Sequence, residues 1–337
     1  MVFKLKSNLV GLICLIVLFS SCWSDNNSKT NNKQNKELTK VTLRQEWFPY
    51  AGYAGELVAA QETDSLNGIN LVVEAGSDNI DPIKLVTGGT NDFGVVSADR
   101  ILSANEKGAD LVVIGVVNYK SPTCFLSKKE KNIKSVKDFE GKTVGILTGT
   151  NTEYIYKALV KKTAIDKSKI KEIEIPFDLA TFIANQYDVR PAFIYDESIS
   201  LDMKNIEYNI LEPKDYGIHF LGTVYFTTRQ MIVNKPEVVQ AFVNSIIAGW
   251  KIALDKPENA VKYLKGFDSN IDEKRELAAL VKGKSYFQGQ DNKILFASID
   301  EWTQMAITLK ELGVINSFDI TKSINYNFLE NYYSLNK

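Results

Sequence analysis

The amino-acid sequence predicts an α/β protein of two lobes, each a mainly parallel sheet flanked by helices, with a ligand cleft between them. Three observations carry that expectation. From Val41 onward, short β-branched runs alternate with longer amphipathic runs, the order of parallel strands joined by crossover helices. The alternation comes in two successive series without an exact internal repeat, and 337 residues suffice for about two domains. The last third turns helical, so it has to pack back onto a sheet already made.

Composition narrows the function. With 45% hydrophobic and 24% charged residues the chain can bury a core and is neither disordered nor fibrous. Lys and Arg number 40 against 41 Asp and Glu, so no positive excess is available for a nucleic-acid backbone. A single histidine, His219, excludes a multi-histidine metal site and leaves little room for a histidine triad. Neither a metal nor a cofactor is expected.

The first segment reads as an address. Lys4 and Lys6 precede an apolar run over residues 9–19, closed by Ser20 and Ser21 before Cys22. The run is about 11 residues, well short of the roughly 20 a bilayer span needs, so residues 1–21 read as a secretory signal peptide. Of three cysteines, Cys14 lies in that run and Cys22 at its end. Cys124 alone remains in the folded body, where no intramolecular disulfide can form and a small buried hydrophobe is expected. Residues 22–40 are rich in Asn, Lys and Ser and read as a flexible tether. The Ser20-Ser21-Cys22 ending resembles the lipobox of bacterial lipoproteins, with Phe19 where that pattern prefers Leu. That resemblance implies a diacylglyceryl group on Cys22 and a body standing off a membrane.

The body follows in order. Residues 41–47, 69–75, 92–98 and 111–117 read as strands, and residues 55–66 and 98–109 as helices ending near Gly68 and Gly108. Residues 41–125 form the first part of lobe 1. In lobe 2, residues 126–222, strands are expected at 143–147, 171–175 and 191–195, with helices at 151–164, opened by Asn151, and 178–187. A strand over 219–228, carrying His219 near the hinge, returns the chain to the first sheet. Residues 223–337 then complete lobe 1. One long helix is expected over 236–264, with an apolar stripe through Phe242, Ile246, Trp250 and Leu254. Further helices follow around 273–281, 299–312 and 325–333.

Loops beyond the carboxyl ends of parallel strands line ligand crevices, which directs attention to four turns. The first carries Trp47, Phe48, Pro49, Tyr50 and Tyr53, a flat aromatic shelf suited to a planar heterocycle or else plain core. The second carries Ser97 and Asp99, where a hydroxyl and free N–H groups hold an oxygen, or Ser97 merely caps a helix. The third, Thr148, Gly149, Thr150 and Asn151, forms a donor cradle facing the first lobe, with Tyr154 one turn further reaching the ligand edge. It lacks the lysine of a phosphate loop, and capping by Asn151 is the alternative. The fourth holds Phe193, Asp196 and Glu197, where a carboxylate suits amino and ring-nitrogen groups. The alternative there is that Asp196 caps the next helix and Glu197 is solvated.

Four collinear segments, residues 46–62, 87–102, 141–159 and 233–261, together with Trp302 and the INYNFL run at 324–329, resemble the substrate-binding proteins of ABC importers. Within them the chain is most similar to the group that binds thiamine pyrimidine precursors, a neighbour of the nitrate and alkanesulfonate binders. The resemblance spans nearly all the chain after residue 40. It implies a type II periplasmic binding protein fold, with two crossovers between the lobes and ligand trapped by hinge closure. It also implies an aromatic residue and a glutamate reading an aminopyrimidine, the glutamate's place being matched by Glu197. Residues 187–191 (Tyr-Asp-Val-Arg-Pro) depart from the Val-Asp-Ala-like opening usual before that strand.

The function implied is that of a monomeric, lipid-anchored, extracytoplasmic binding component that delivers a small planar nitrogen heterocycle to a permease and its ATPase. A sulfonate, nitrate or other small solute is the alternative ligand. A pyrimidine-precursor synthase sharing the fold is a second alternative, disfavoured by the lack of a cysteine cluster and by the signal peptide. A sensor lipoprotein serving a non-transport partner is a third.

Overall fold

The computed structural model describes residues 37–289 and 291–336, which fall in one compact unit. The expected signal peptide, most of the expected tether and Cys22 lie outside the described residues. Lobe 1 opens with β1 (Thr39–Arg44), a short helix α1 (Ala54–Val58) that continues as a wider turn to Thr63, β2 (Ile69–Glu74), α2 (Pro82–Thr87), β3 (Phe93–Ser97), α3 (Ala98–Glu106) and β4 (Leu111–Val116). Lobe 2 follows with β5 (Thr123–Lys128), β6 (Thr143–Ile146), α4 (Asn151–Thr163), β7 (Lys171–Glu174), α5 (Ala180–Ile183), β8 (Val189–Phe193), α6 (Glu197–Met203) and β9 (Tyr208–Leu211). The chain then returns through β10 (Thr223–Thr228), α7 (Arg229–Asn234), α8 (Pro236–Asp255), α9 (Pro257–Phe267), α10 (Glu273–Phe287), α11 (Ile299–Glu311), α12 (Ile320–Ser323) and α13 (Asn327–Leu335).

The strands form two five-stranded sheets, ordered β2-β1-β3-β10-β4 and β7-β6-β8-β5-β9. In each, four strands run one way and one, β10 or β5, runs against them. The reversal follows from the crossings. β4 and β9 end at the cleft, so the strand that enters the other lobe starts at its cleft edge and must run away from it. The two crossings, 117–122 and 212–222, are the expected pair.

Several expectations are corrected by this frame. β1 begins at Thr39, with Thr39 opposite Ile69 and Lys40 opposite Asn70, so the tether is shorter than its polar composition suggested. Ladder hydrogen bonds hold these two exposed residues without apolar side chains. The first strand of lobe 2, β5, starts at Thr123, ahead of the expected boundary at residue 126; the β-branched pattern did not reveal it, yet it pairs with β8 from Thr123 onward. β9 was likewise unforeseen. His219 is exposed and precedes β10, which begins only at Thr223. The single long helix is two, broken at Lys256 (φ −130°, ψ 64°), since Pro257 restricts the residue before it and starts α9 instead.

The stripe on α8 is buried as expected: Phe242, Ile246 and Trp250 are fully enclosed. Phe242 stacks on Phe93 of β3 with centroids 3.9 Å apart and planes within 3°. α8 crosses α1 at two glycines. A Cβ on Gly55 would lie 2.2 Å from the Trp250 ring, and one on Gly249 would lie 2.3 Å from the Gly55 carbonyl oxygen. The late helices pack on lobe 1, with one addition: α10 also meets α6 of lobe 2, and Tyr195 and Ile199 of that lobe join lobe 1's apolar cluster.

Candidate functional site

Between the carboxyl ends of the two sheets lies a cavity of about 400 Å³. Lobe 1 lines it from the loop after β1. Trp47 is half-buried and reaches across the cleft to Phe177, the ring centroids 4.7 Å apart at 50°. Tyr50 also lines the cavity and meets Tyr53 edge-on at 4.9 Å. Phe48 turns out of the cavity and is 50% exposed.

The neighbouring wall is an ion-pair ladder. Arg100 lies 2.7 Å from Glu46 Oε1 and 2.7 Å from Asp81 Oδ1, while Glu46 Oε2 accepts the Ser97 N–H at 3.0 Å. The Arg100 charge is therefore matched twice within its own lobe. Burial raises the Glu46 carboxyl above the usual range, with Arg100 opposing. Ser97 lines the cavity at the N-cap position of α3, and its side chain makes no capping bond. Next to it Asp99 is buried, and that burial, reinforced by Glu46, lifts its carboxyl to about 6.

Lobe 2 contributes the turn between β6 and α4. Gly149 adopts φ +78°, a conformation that favours glycine, and donates its N–H to Glu153 Oε2 at 2.7 Å. Thr150, Asn151 and Thr152 line the cavity. The Thr150 hydroxyl donates to the Leu147 carbonyl at 2.7 Å and lies 2.8 Å from the Thr152 hydroxyl, so the turn consumes part of the cradle's donor capacity. Thr150, not Asn151, takes the N-cap position, without a side-chain cap. Two residues expected here are placed elsewhere. Thr148 is exposed, and Tyr154 packs partly buried against an apolar cluster that includes the second lobe's core; neither lines the cavity.

The turn after β8 supplies Phe193, Asp196 and Glu197, all lining the cavity. Glu197 is not solvated as the alternative supposed. Its Oε2 accepts the Phe193 N–H at 2.7 Å, and its Oε1 lies 3.4 Å from Arg190 Nη2. Arg190 is fully buried and is held by the carbonyls of Asp178 at 2.8 Å, Phe177 at 3.1 Å and Pro191 at 3.1 Å. Burial pushes the Glu197 carboxyl up and Arg190 opposes it. Asp196 holds the N-cap place of α6 but makes no cap; its carboxylate pairs with Arg275 of α10.

Sequence reasoning passed over Glu46, Asp78, Arg100, Thr152 and Phe177, all of which line the cavity. Phe177 follows the end of β7 in a Pro-Phe-Asp turn, and the strand-end rule applied there would have found it. Glu46 and Arg100 adjoin residues already singled out, but only the fold shows that they meet. Chemically, the lining offers aromatic faces, hydroxyl and amide groups, and the carboxylates of Glu46, Asp78, Asp196 and Glu197 against one matched cation, Arg100. An arrangement of this kind favours a planar ligand that donates hydrogen bonds and is neutral or cationic.

A family model described as NMT1/THI5 like matches residues 58–260. The 4-amino-5-hydroxymethyl-2-methylpyrimidine phosphate synthase of Legionella pneumophila is 24% identical over 297 residues, 86% of this chain and 92% of that protein. The riboflavin-binding protein RibY of Chloroflexus aurantiacus is 24% identical over 229 residues; the match spans 66% of this chain and 65% of that protein's length. Among solved structures, the periplasmic aliphatic sulphonate binding protein SsuA of Escherichia coli superposes with a TM-score of 0.66 at 14% identity, covering 85% of this chain and 92% of that one. The fold is that of the periplasmic binding proteins, as the resemblance implied.

Proposed function

The chain belongs to the NMT1/THI5-like family, and from that premise we propose that it is the extracytoplasmic solute-binding component of an ABC importer for a small planar nitrogen heterocycle, a thiamine-precursor aminopyrimidine first. One observation carries the reading: the cavity sets aromatic faces from both lobes beside an acid, Glu197, that has its own buried counter-ion. The ring would stack on Trp47, Tyr50 or Phe193, and Glu197 would take the amino group and ring nitrogen. Ser97, Thr150 and Asn151 would serve the remaining polar edge. A nitrate or sulfonate would face carboxylates and a cation already matched, a costly neighbourhood at low effective dielectric.

Binding rather than synthesis is favoured by the side chains at hand. No Lys, His or Cys is among the residues lining the cavity. His219 is exposed beside a separate depression with Lys120 and Lys214, and burial pushes the Cys124 thiol well up, leaving it a poor nucleophile. A second ligand reading, a larger planar heterocycle of flavin size, is supported by the 400 Å³ volume, which exceeds what one substituted pyrimidine ring needs, and by the name of the Chloroflexus relative.

Calorimetry with 4-amino-5-hydroxymethyl-2-methylpyrimidine, riboflavin, nitrate and an alkanesulfonate tests the assignment. Trp47→Ala should weaken the pyrimidine by at least a stacking contribution of about 0.5–1.5 kcal/mol. Glu197→Gln should weaken it by about 1.5–3 kcal/mol through loss of a charge-assisted hydrogen bond. If no pyrimidine binds, and Glu197→Gln tightens an oxyanion, the assignment fails. Riboflavin binding alone selects the second reading, and chemical conversion of the bound compound ends the binding-protein reading.

The same proposal includes export and a lipid on Cys22, followed by the tether, with a monomeric body serving a permease and its ATPase. Cells fed a radioactive fatty acid should label the protein, and Cys22→Ala should abolish the label. An unlabelled mature protein would remove the anchor from this reading.

A further inference from the structure

The turn that starts the lobe 1 wall and the turn that starts the lobe 2 wall share a structural peculiarity. Tyr50 and Asp196 stand at the N-cap positions of their helical turns, and neither side chain caps. Helix α10 supplies the acceptor that the first turn lacks and engages the Asp196 carboxylate at the second. Glu276, buried, accepts the Ala51 N–H through Oε2 at 2.6 Å and pairs through Oε1 with Arg275. Arg275 in turn pairs with Asp196 and donates from Nε to Ser200 Oγ at 3.0 Å. A continuous chain, Ala51 to Glu276 to Arg275 to Asp196, thus joins the two walls and reaches the cavity at Asp196.

We infer that Arg275 is a positioning residue for the binding cleft: its planar fork holds both walls in register and makes the order of each depend on the other. The chemistry suits that task. A guanidinium can serve Glu276, Asp196 and Ser200 at once in one plane because its donors point in fixed directions, whereas the freely rotating donors of an ammonium do not fix the relative placement of their partners. Glu276 cannot be left alone without cost, since an unpaired carboxylate in a buried site is strongly destabilised. Breaking the Arg275–Asp196 contact leaves the Arg275–Glu276 pair anchored at one end only, so the two side chains can shift together and the Ala51 turn carrying Tyr50 and Tyr53 loses its fixed acceptor. The same helix reinforces the junction further along, where Lys282 donates to Ser198 Oγ at 2.8 Å and Tyr286 to Glu212 Oε2 at 2.9 Å. The inference concerns the cleft assigned above, but its test needs no ligand, so it stands or falls separately from the ligand assignment.

Hydrogen exchange on the ligand-free full chain, read by mass spectrometry, tests the coupling. Arg275→Gln should raise exchange by about tenfold or more in both residues 50–54 and 194–200, with the two sheets unchanged. Asp196→Asn, which touches only the lobe 2 end, should also raise exchange at residues 50–54. Exchange that rises evenly across both sheets after Arg275→Gln, or residues 50–54 unchanged after Asp196→Asn, would overturn the inference; the first is what a merely structural loss of α10 packing produces.

Discussion

At the scale of single residues, the cleft is built from acids whose surroundings differ. Glu197 has a buried arginine within reach, and Glu46 has Arg100. Asp99, two residues beyond Ser97, is buried with its Oδ1 unpartnered. Burial and the nearby Glu46 raise its carboxyl from 3.8 to about 6. An acid whose folded pKa is raised favours the fold while protonated. Its contribution is complete below about pH 4 and is lost as pH climbs through 6. At pH 7 the cost of keeping Asp99 ionised is on the order of 3 kcal/mol. Asp99→Asn should therefore stabilise the protein at pH 7 by up to about that amount and give no gain below pH 4. Thermal unfolding of the pair at pH 4 and pH 7 checks this; an equal gain at both would rule out ionisation as the cause.

At the scale of elements, the crossing of α1 and α8 fixes how the aromatic shelf enters the cleft, because α1 continues directly from Tyr53. The closeness depends on Gly55 lying against the Trp250 ring. That ring has no room to yield: it is fully buried, its Nε1 donates to the Tyr225 hydroxyl at 2.9 Å, and it stacks on Phe287 at 4.6 Å. Gly55→Ala should overpack the crossing and cost about 1–3 kcal/mol, seen as a lower urea midpoint with an unchanged slope. A midpoint equal to that of the parent would mean that the helices separate freely.

At the scale of the whole molecule, two sheets with their carboxyl ends facing each other produce the cleft, and the antiparallel strands β5 and β10 are the geometric result of crossing at that face. The contact of Trp47 with Phe177, 4.7 Å between centroids, joins the lobes at the cleft, while the Asn118–Tyr195 hydrogen bond of 3.2 Å ties the first crossing to the end of β8. Ligand held between such walls stabilises the fold by mass action, about 2.7 kcal/mol at a hundredfold excess over its dissociation constant.

Much of this was legible in the linear chain. Short β-branched runs bounded by Gly, Asn or Asp marked most strands, because strands such as β3 and β4, buried on both faces, write an uninterrupted apolar run. The strand-to-helix turns bearing Trp47, Tyr50, Ser97, Thr150, Asn151, Phe193 and Glu197 were identified from that order together with the family resemblance, and all seven residues line one cavity. β5, whose Thr-Cys-Phe-Leu-Ser-Lys run has Thr123 as its one β-branched residue, and the four-residue β9 left no such mark; their pairing partners define them. Nor could local pattern show that Thr148 is exposed, or that the buried Arg190 lies within reach of Glu197. Sequence by itself determined the two-lobed α/β order and the strand ends that carry the site. Only the tertiary structure decided which charges are matched and which helix joins the walls, because those contacts link residues up to 225 positions apart and depend on how the lobes meet.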